Sequence, residues 1–566
     1  MDTCIKREMM SARIIYFACV LLIPAAILAV EEVELEIGQG KLKGIKTKTH
    51  LDQKPLYMFT GIPYAKSIEG PNKFKVAEPP EPWSGVYEAT HQGSGCVSYC
   101  MMRHKVVGED DCLFLNVYTP EPNKDARKAV MVFFHGGGFN MGSAETDFYG
   151  PYYIVEEDVV LVTVNSRLGV FGFLSTEDST APGNLGLKDQ AAALKWVQEN
   201  IKYFGGCPQR VTIFGQSSGG ASVQYHMMSP MSAGLFQNAL SQGGSAVAPW
   251  AITHHAKDAA FKLGKALGID TTDSAILLKE LSQLPSYEIV EAAMTVDQTE
   301  NGMNGHSHAF IPSVEPDVGQ EVFLPADPWE LIMKGKIADV PYMAGLNLNE
   351  TLFLKSALIA SAEMMNEHFE NFIPDDLNVT DAAEQKQIAD MMRKFYLDDK
   401  PLTRDLLREF GQITMDVMFT CPVQIPLTII NSLKSTPTYN YLFIHDSSLG
   451  IFKIMGFYDG TEGVIHGDEM GYILHNRFLN MHPEPGSELE GVIRLLTKLW
   501  ANFAKTGNPT PALDEYITMN WEPMGKENNY AVIDQGLTME KNMFKERIDF
   551  WIPIYKNVIG DFAKLF

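Results

Sequence analysis

The chain has 566 residues, 45% of them hydrophobic and 20% charged, enough apolar material for a large folded core and too much for a disordered protein. Its formal net charge of −24 argues against a nucleic-acid partner, because phosphates are held by clustered Lys and Arg. No long run of like charge reads as an interaction tail, and no fixed-period repeat divides the chain.

Residues 1–29 differ from the rest. Lys6, Arg7 and Arg13 precede an apolar run over 14–30, which Pro24 interrupts and Glu31 and Glu32 follow. A basic start, a short apolar centre and small residues at Ala26 and Ala29 predict a secretory signal cut near Ala29, rather than a membrane anchor. Residues 30–566 then form the mature domain. The expected location is extracellular, with no stable membrane insertion after cleavage. The C-terminal GDFAKLF is neither an ER-retention signal nor an apolar tail for a lipid anchor.

Cys4 and Cys19 leave with the signal, and Cys96, Cys100, Cys112, Cys207 and Cys421 remain. An odd number leaves at least one thiol free or paired outside the chain. The spacing lacks the CxxC pairs of zinc sites, so no metal is expected. A small loop closed between Cys96 and Cys112 is the expected disulfide, with Cys100 a competing partner.

Strands and helices alternate through the first half. Residues 129–134 (AVMVFF) and 159–164 (VVLVTV) are continuous β-branched or aromatic runs, as in strands covered on both faces. Residues 187–201 read as a helix, 211–214 as a short buried strand, and 219–228 as the helix that follows it. Near the C-terminus 492–505 is again helical and stops at Gly507-Asn508-Pro509. This alternation predicts an α/β fold, a mostly parallel central sheet with helices on both faces. Residues 251–337 and 357–422 are helix-rich and punctuated by Pro and Asp. They read as insertions that roof the sheet.

Gly215-Gln216-Ser217-Ser218-Gly219 matches G-x-S-x-G. Alone the pattern is weak, but here it lies between a buried strand and a helix, where a nucleophile elbow requires it. The spacing makes Ser217 the nucleophile and leaves Ser218 to offer its backbone N–H, with the helix N-terminus favouring developing negative charge. His135-Gly136-Gly137-Gly138-Phe139 follows the strand 129–134. Upstream of an elbow, three glycines after a strand read as an oxyanion loop, in which the N–H groups of Gly137 and Gly138 join that of Ser218.

HGGGF, the GQSSGG elbow, EDDCLFLNVYTP (109–120), GNLGLKDQ (183–190) and WANFAKTGNP (500–509) together resemble the carboxylesterase/cholinesterase family, insect type, across most of the mature chain. The resemblance implies an α/β-hydrolase fold with a gorge over the nucleophile and no cofactor. It also implies the remaining catalytic residues. Gly345-Leu-Asn347-Leu-Asn349-Glu350 matches the family's segment for the catalytic acid, giving Glu350. Gly463-Val-Ile-His466-Gly-Asp-Glu469 matches its histidine segment, giving His466 as base. His104, His226, His254, His255 and His306 have no comparable context. Of two glycosylation sequons, Asn378 lies in a polar stretch and is expected to carry a glycan, whereas Asn349, beside Glu350, is expected to be buried and bare.

Three departures from the family stand out. Gly243 occupies the place of a serine whose hydroxyl helps hold the acid, so Glu350 is expected to be less tightly oriented. The elbow carries Gln216 in place of a common glutamate, reminiscent of juvenile hormone esterases, and Ser218 in place of alanine. Thr60 replaces an arginine. The expected activity is hydrolysis of small-molecule carboxylic esters, with juvenile hormone, pheromone or odorant esters and xenobiotics as substrate candidates. Cholinesterase activity is disfavoured, since no tryptophan lies between Cys96 and Cys112 to bind a quaternary cation. The alternative from another class is a catalytically silent binding or adhesion protein on the same fold, against which the presence of Ser217, Glu350 and His466 counts.

Overall fold

The structure, a computed structural model, describes residues 31–100, 103–300, 308–403, 406–447, 449–450, 453, 463–479 and 483–566. The expected signal, Met101, Met102 and His306 lie outside the described residues. One large sheet organises the chain. Its strands are β1 (Glu31–Ile37), β2 (Gly40–Lys48), β3 (Pro55–Pro63), β4 (Phe114–Thr119), β5 (Lys128–Phe134), β6 (Val160–Val164), β7 (Gly206–Gln216), β8 (Asn238–Gln242), β9 (Tyr342–Asn347), β10 (Thr438–Phe443), β11 (Asn529–Ile533) and β12 (Leu537–Lys541). They lie in the order β1-β2-β3-β4-β6-β5-β7-β8-β9-β10-β11-β12, with the short Val86–Glu88 paired onto β2. From β6 to β11 every neighbour is parallel, and both flanks are antiparallel apart from the parallel pairing of Val86–Glu88 onto β2.

The central strands are covered on both faces, as their unbroken apolar runs require. Val130, Val132 and Phe134 of β5 enter one core, while Ala129, Met131 and Phe133 enter the other. Helices Leu185–Asn200 and Ser218–Met228 pack in the first core, and helix Glu488–Thr506 packs in the second through Leu496, Leu499 and Trp500. Gly507, left-handed at φ 72°, ends that last helix where the sequence placed its stop.

Strand β7 is longer than the apolar pattern predicted. It starts at Gly206 instead of 211, with an irregularity in its pairing to β5 between Gly206 and Val211. Its added residues include exposed Gln209 and Arg210, so no hydrophobic run announces them.

The middle of the chain is helical, with Ala256–Ala266, Ser274–Leu281, Lys355–Glu367 and Ala382–Leu397 among its elements. One continuous stretch, Arg408–Leu433, is long and apolar enough to cross a membrane, yet 94% of its most apolar window is buried inside the protein. It is a core helix, and its π-helical turn Asp416–Thr420 is wholly buried.

The chain runs from β5 to β6 on one side, then crosses back to β7 on the other side of β5. The loops leaving β5 and β7 therefore diverge at a reversal of strand order, where open parallel sheets form ligand crevices at their carboxyl ends.

Candidate active site

Ser217 sits on the turn between β7 and helix Ser218–Met228, with φ 59° and ψ −125°. Such a backbone is strained for a residue with a side chain, and strain of this kind concentrates at functional positions. The surrounding structure enforces it. Ser217 N donates to Gln242 O at 2.7 Å, and Ser217 O accepts from Ala221 N at 3.0 Å. A Cβ on Gly215 would collide with the backbone of Gly219, and one on Gly219 with the carbonyl of Phe134 at the end of β5. Both glycines are needed for the elbow to lie this close to its neighbour strand. From Val211 to Ser229 every residue except Ser217 is buried.

The glycine loop leaves β5 directly beside the elbow. A Cβ on Gly136 would come within 3.0 Å of the Ser217 Cβ. Gly137 has φ 124°, and its carbonyl accepts from Asn140 N and Met141 N at 3.1 Å each; Gly138 has φ 61°. Among the described residues no protein acceptor takes the N–H of Gly137 or Gly138. His135, the first residue of the motif, is buried with Nδ1 2.8 Å from Gly136 O, and burial holds its imidazole below the usual histidine range. It is a structural anchor for the loop.

Glu350 and His466 are brought to the elbow from distant segments. Glu350 follows β9, His466 lies in the loop 463–469, and both are buried. His466 Nδ1 is 2.6 Å from Glu350 Oε2. The other oxygen, Oε1, accepts from Asn347 N at 2.7 Å, so both carboxylate oxygens are engaged and the glycine at 243 does not leave Glu350 loose. Gly243 has φ 55°, and a Cβ there would lie 3.1 Å from Glu350 Oε1 and 3.2 Å from His466 Cε1. Phe353 and Phe419 flank the imidazole with centroids at 5.7 and 4.8 Å. Phe419 is presented by the π-helical turn, an irregularity that often marks a functional site.

Residues without a role assigned from sequence complete the arrangement. Asn347 Nδ2 donates to Ile465 O at 2.8 Å, tying β9 to the histidine loop. Glu469 is fully buried, accepting from Asn347 Nδ2 at 2.5 Å and Gln242 Nε2 at 3.1 Å. Burial, and then the charge of Glu350, push it up to about 7. Asp468 Oδ2 accepts from Ile465 N at 2.9 Å and lies 2.9 Å from Lys453 Nζ; burial raises it to about 6 against the pull of that lysine. Gln216 Nε2 stands 3.0 Å from His466 Nε2. Glu469 was visible as the last residue of the histidine motif, but only the fold shows that its carboxyl turns back toward Glu350.

Of the other histidines, His226 is a core residue between Ser232 Oγ (2.7 Å) and Gln190 Oε1 (3.0 Å), pushed down to about 3 by burial. The Cys96–Cys112 disulfide is present and encloses the ribbon Ser98–Cys100 and Lys105–Val107; Cys100, Cys207 and Cys421 are free. Asn378 is exposed. Asn349 is half-buried, not buried as expected, while Thr351 of its sequon is buried and donates to Gly411 O at 2.8 Å.

Residues 31–551 match the profile of the carboxylesterase family. The chain belongs to that family. It is 32% identical to a venom carboxylesterase-6 of Apis mellifera, over 92% of this chain and 94% of that protein. It is 33% identical to a juvenile hormone esterase of Tribolium castaneum, over 87% of this chain and 89% of that one. A crystal structure of juvenile hormone esterase from Manduca sexta, with OTFP covalently attached, superposes with a TM-score of 0.83 at 28% identity, covering 93% of this chain and all of that one. The fold is accordingly the α/β-hydrolase fold, and the activity is carboxylic-ester hydrolysis on small-molecule esters.

Proposed function

We propose that this carboxylesterase is a secreted serine esterase that works through an acyl-enzyme on Ser217. Ser217 Oγ attacks the ester carbonyl carbon and its proton passes to His466 Nε2. Glu350 fixes the imidazole tautomer and supports the imidazolium. The N–H groups of Gly137, Gly138 and Ser218 meet the oxyanion of the tetrahedral intermediate. Collapse expels the alcohol, which takes the proton from His466, and water then releases the acid by the same route.

The observation that carries this reading is the buried 2.6 Å contact of His466 with Glu350, set beside an elbow whose single open residue is Ser217. The glycine loop supplies N–H groups with no acceptor among the described residues, as an oxyanion site needs. A silent relative has no reason to maintain strain at Ser217 together with a buried imidazole–carboxylate pair.

The walls on His466 are Phe353 and Phe419, and the group at its Nε2 is an uncharged amide. This favours uncharged, apolar esters, a class that includes juvenile hormone, pheromone or odorant esters and many xenobiotics. The disulfide fits an oxidising, extracellular location, and exposed Asn378 is a suitable glycan acceptor. The signal over 1–29 and the mature domain over 30–566 complete the proposal.

The test is paired substitution. Ser217→Ala abolishes turnover and labelling by a fluorophosphonate, while Ser218→Ala keeps both. The opposite pattern overturns the assignment of the nucleophile.

A further inference from the structure

The ring of His466 is engaged at both nitrogens. Glu350 Oε2 lies 2.6 Å from Nδ1, and a carboxylate only accepts, so the ring proton sits on Nδ1 and Nε2 presents its lone pair. Gln216 Nε2 lies 3.0 Å from that Nε2, and its N–H donates into the lone pair. Both side chains are buried, so water does not readily take the place of the amide. Space for the amide comes from the glycine loop: a Cβ on Gly136 would lie 2.7 Å from Gln216 Oε1.

We propose that Gln216 is a positioning residue that holds His466 in its neutral, proton-accepting form and sets how readily the base becomes charged. The proposal rests on the catalytic reading above and concerns the protonation of its base. Glu350 faces the imidazole at Nδ1 with Glu469 behind it, and the uncharged Phe353, Phe419 and Gly243 pack beside the ring. Gln216 gives the Nε2 side a neutral donor. A donor to Nε2 stabilises the neutral ring and opposes the imidazolium, whose own Nε2–H would confront it. The same lone pair must accept the Ser217 proton, so the amide and the hydroxyl compete for it.

The test is the acid limb of the kcat/KM profile against pH, read on the full-length protein. In Gln216→Glu the carboxylate favours the imidazolium, so active base is lost at higher pH and the midpoint rises by about one pH unit or more. In Gln216→Met, of similar size but without a donor, the neutral form loses its partner and the midpoint rises by about half a unit. Fluorophosphonate labelling to full stoichiometry at pH 8 confirms that each variant is folded and carries a competent serine. Should Gln216→Glu not fold, the Gln216→Met midpoint alone decides. Midpoints that coincide with wild type in fully labelled variants overturn the proposal, since a merely structural glutamine changes rates without moving them. Turnover that survives Ser217→Ala overturns the catalytic reading instead.

Discussion

Glu350 and Glu469 hang from one residue: the backbone N–H of Asn347 donates to Glu350 Oε1 at 2.7 Å, and its side-chain amide donates to Glu469 Oε2 at 2.5 Å. Two carboxyls so placed in a buried layer cannot both carry charge cheaply. Glu350 faces the imidazole, and Glu469 takes the consequence, raised to about 7 by burial and by Glu350.

Stability should report this directly. An unfolded Glu469 titrates near 4.5, so between about pH 4.5 and 7 the native state holds a proton that the unfolded state has released. The native state binds more protons there, and stability falls as pH rises through that window, then levels above it. The loss attributable to this group is on the order of 3 kcal/mol. Glu469→Gln removes the titration, so its stability relative to wild type improves from pH 5 to pH 7.5 in urea denaturation. A difference between the two proteins that stays constant across the window contradicts this account.

The Cys96–Cys112 bridge spans a sequence separation of 16 and encloses a ribbon too short to hold itself. The double change Cys96→Ser and Cys112→Ser restores loop entropy to the unfolded chain and costs about 3 kcal/mol. Cys100, half-buried and unbridged in the same loop, is not part of the constraint. Cys100→Ser shifts stability by no more than about 0.5 kcal/mol in the same assay.

At Gly243 the prediction concerns rate. Its φ of 55° disfavours a side chain, and a Cβ there would press on Glu350 and His466 at 3.1–3.2 Å. Either partner must shift by a few tenths of an ångström, and their shared 2.6 Å contact leaves little slack. Gly243→Ala lowers kcat by roughly 10-fold or more while KM changes little, because misplacing a catalytic group acts on the transition state. A variant with wild-type kcat shows that Glu350 and His466, the proposed acid and base, tolerate displacement.

The parts of the site that were legible in the sequence are those fixed by local backbone geometry. Gly215, Gly219 and the glycines at 136–138 are spaced by a turn and a loop; a Cβ would collide with Phe134 O at Gly215 and Gly219, with Gln216 at Gly136 and with Met141 O at Gly137, whereas Gly138 is set by its left-handed φ of 61°. Glu350 and His466 are 116 residues apart and meet only because β9 ends beside the histidine loop; family resemblance supplied them where spacing could not. Asn347 and Glu469 were plain letters within recognised motifs, and Gln216 stood out only as a departure from the common glutamate, with no role attached. Their roles depend on which neighbour each amide or carboxyl faces, and that is decided by strand order. The sheet itself was legible in its buried strands and less so at the polar start of β7, where exposed Gln209 and Arg210 give no periodic signal.

The two glycines of the proposed oxyanion loop should separate in a single experiment. A Cβ on Gly137 would collide with the carbonyl of Met141, and its φ of 124° lies outside the region that L-residues adopt. Alanine at this position must swing the loop, moving its N–H away from the oxyanion. Gly138 differs on both counts. Its φ of 61° is the left-handed region that other residues enter at a cost of about 1 kcal/mol, and a Cβ there meets only His308 Nε2 at 3.6 Å, an ordinary contact. Gly137→Ala therefore lowers kcat/KM by roughly 10²–10³, the loss expected when one oxyanion donor is removed. Gly138→Ala loses roughly 10-fold or less, because the loop can keep its path. Both variants remain folded by circular dichroism, so kinetics on a simple aryl ester decide the matter. Equal losses at the two positions, or a greater loss at Gly138, would show that the path of this loop is not set by the Met141 carbonyl and that Gly137 is not the donor the geometry makes it.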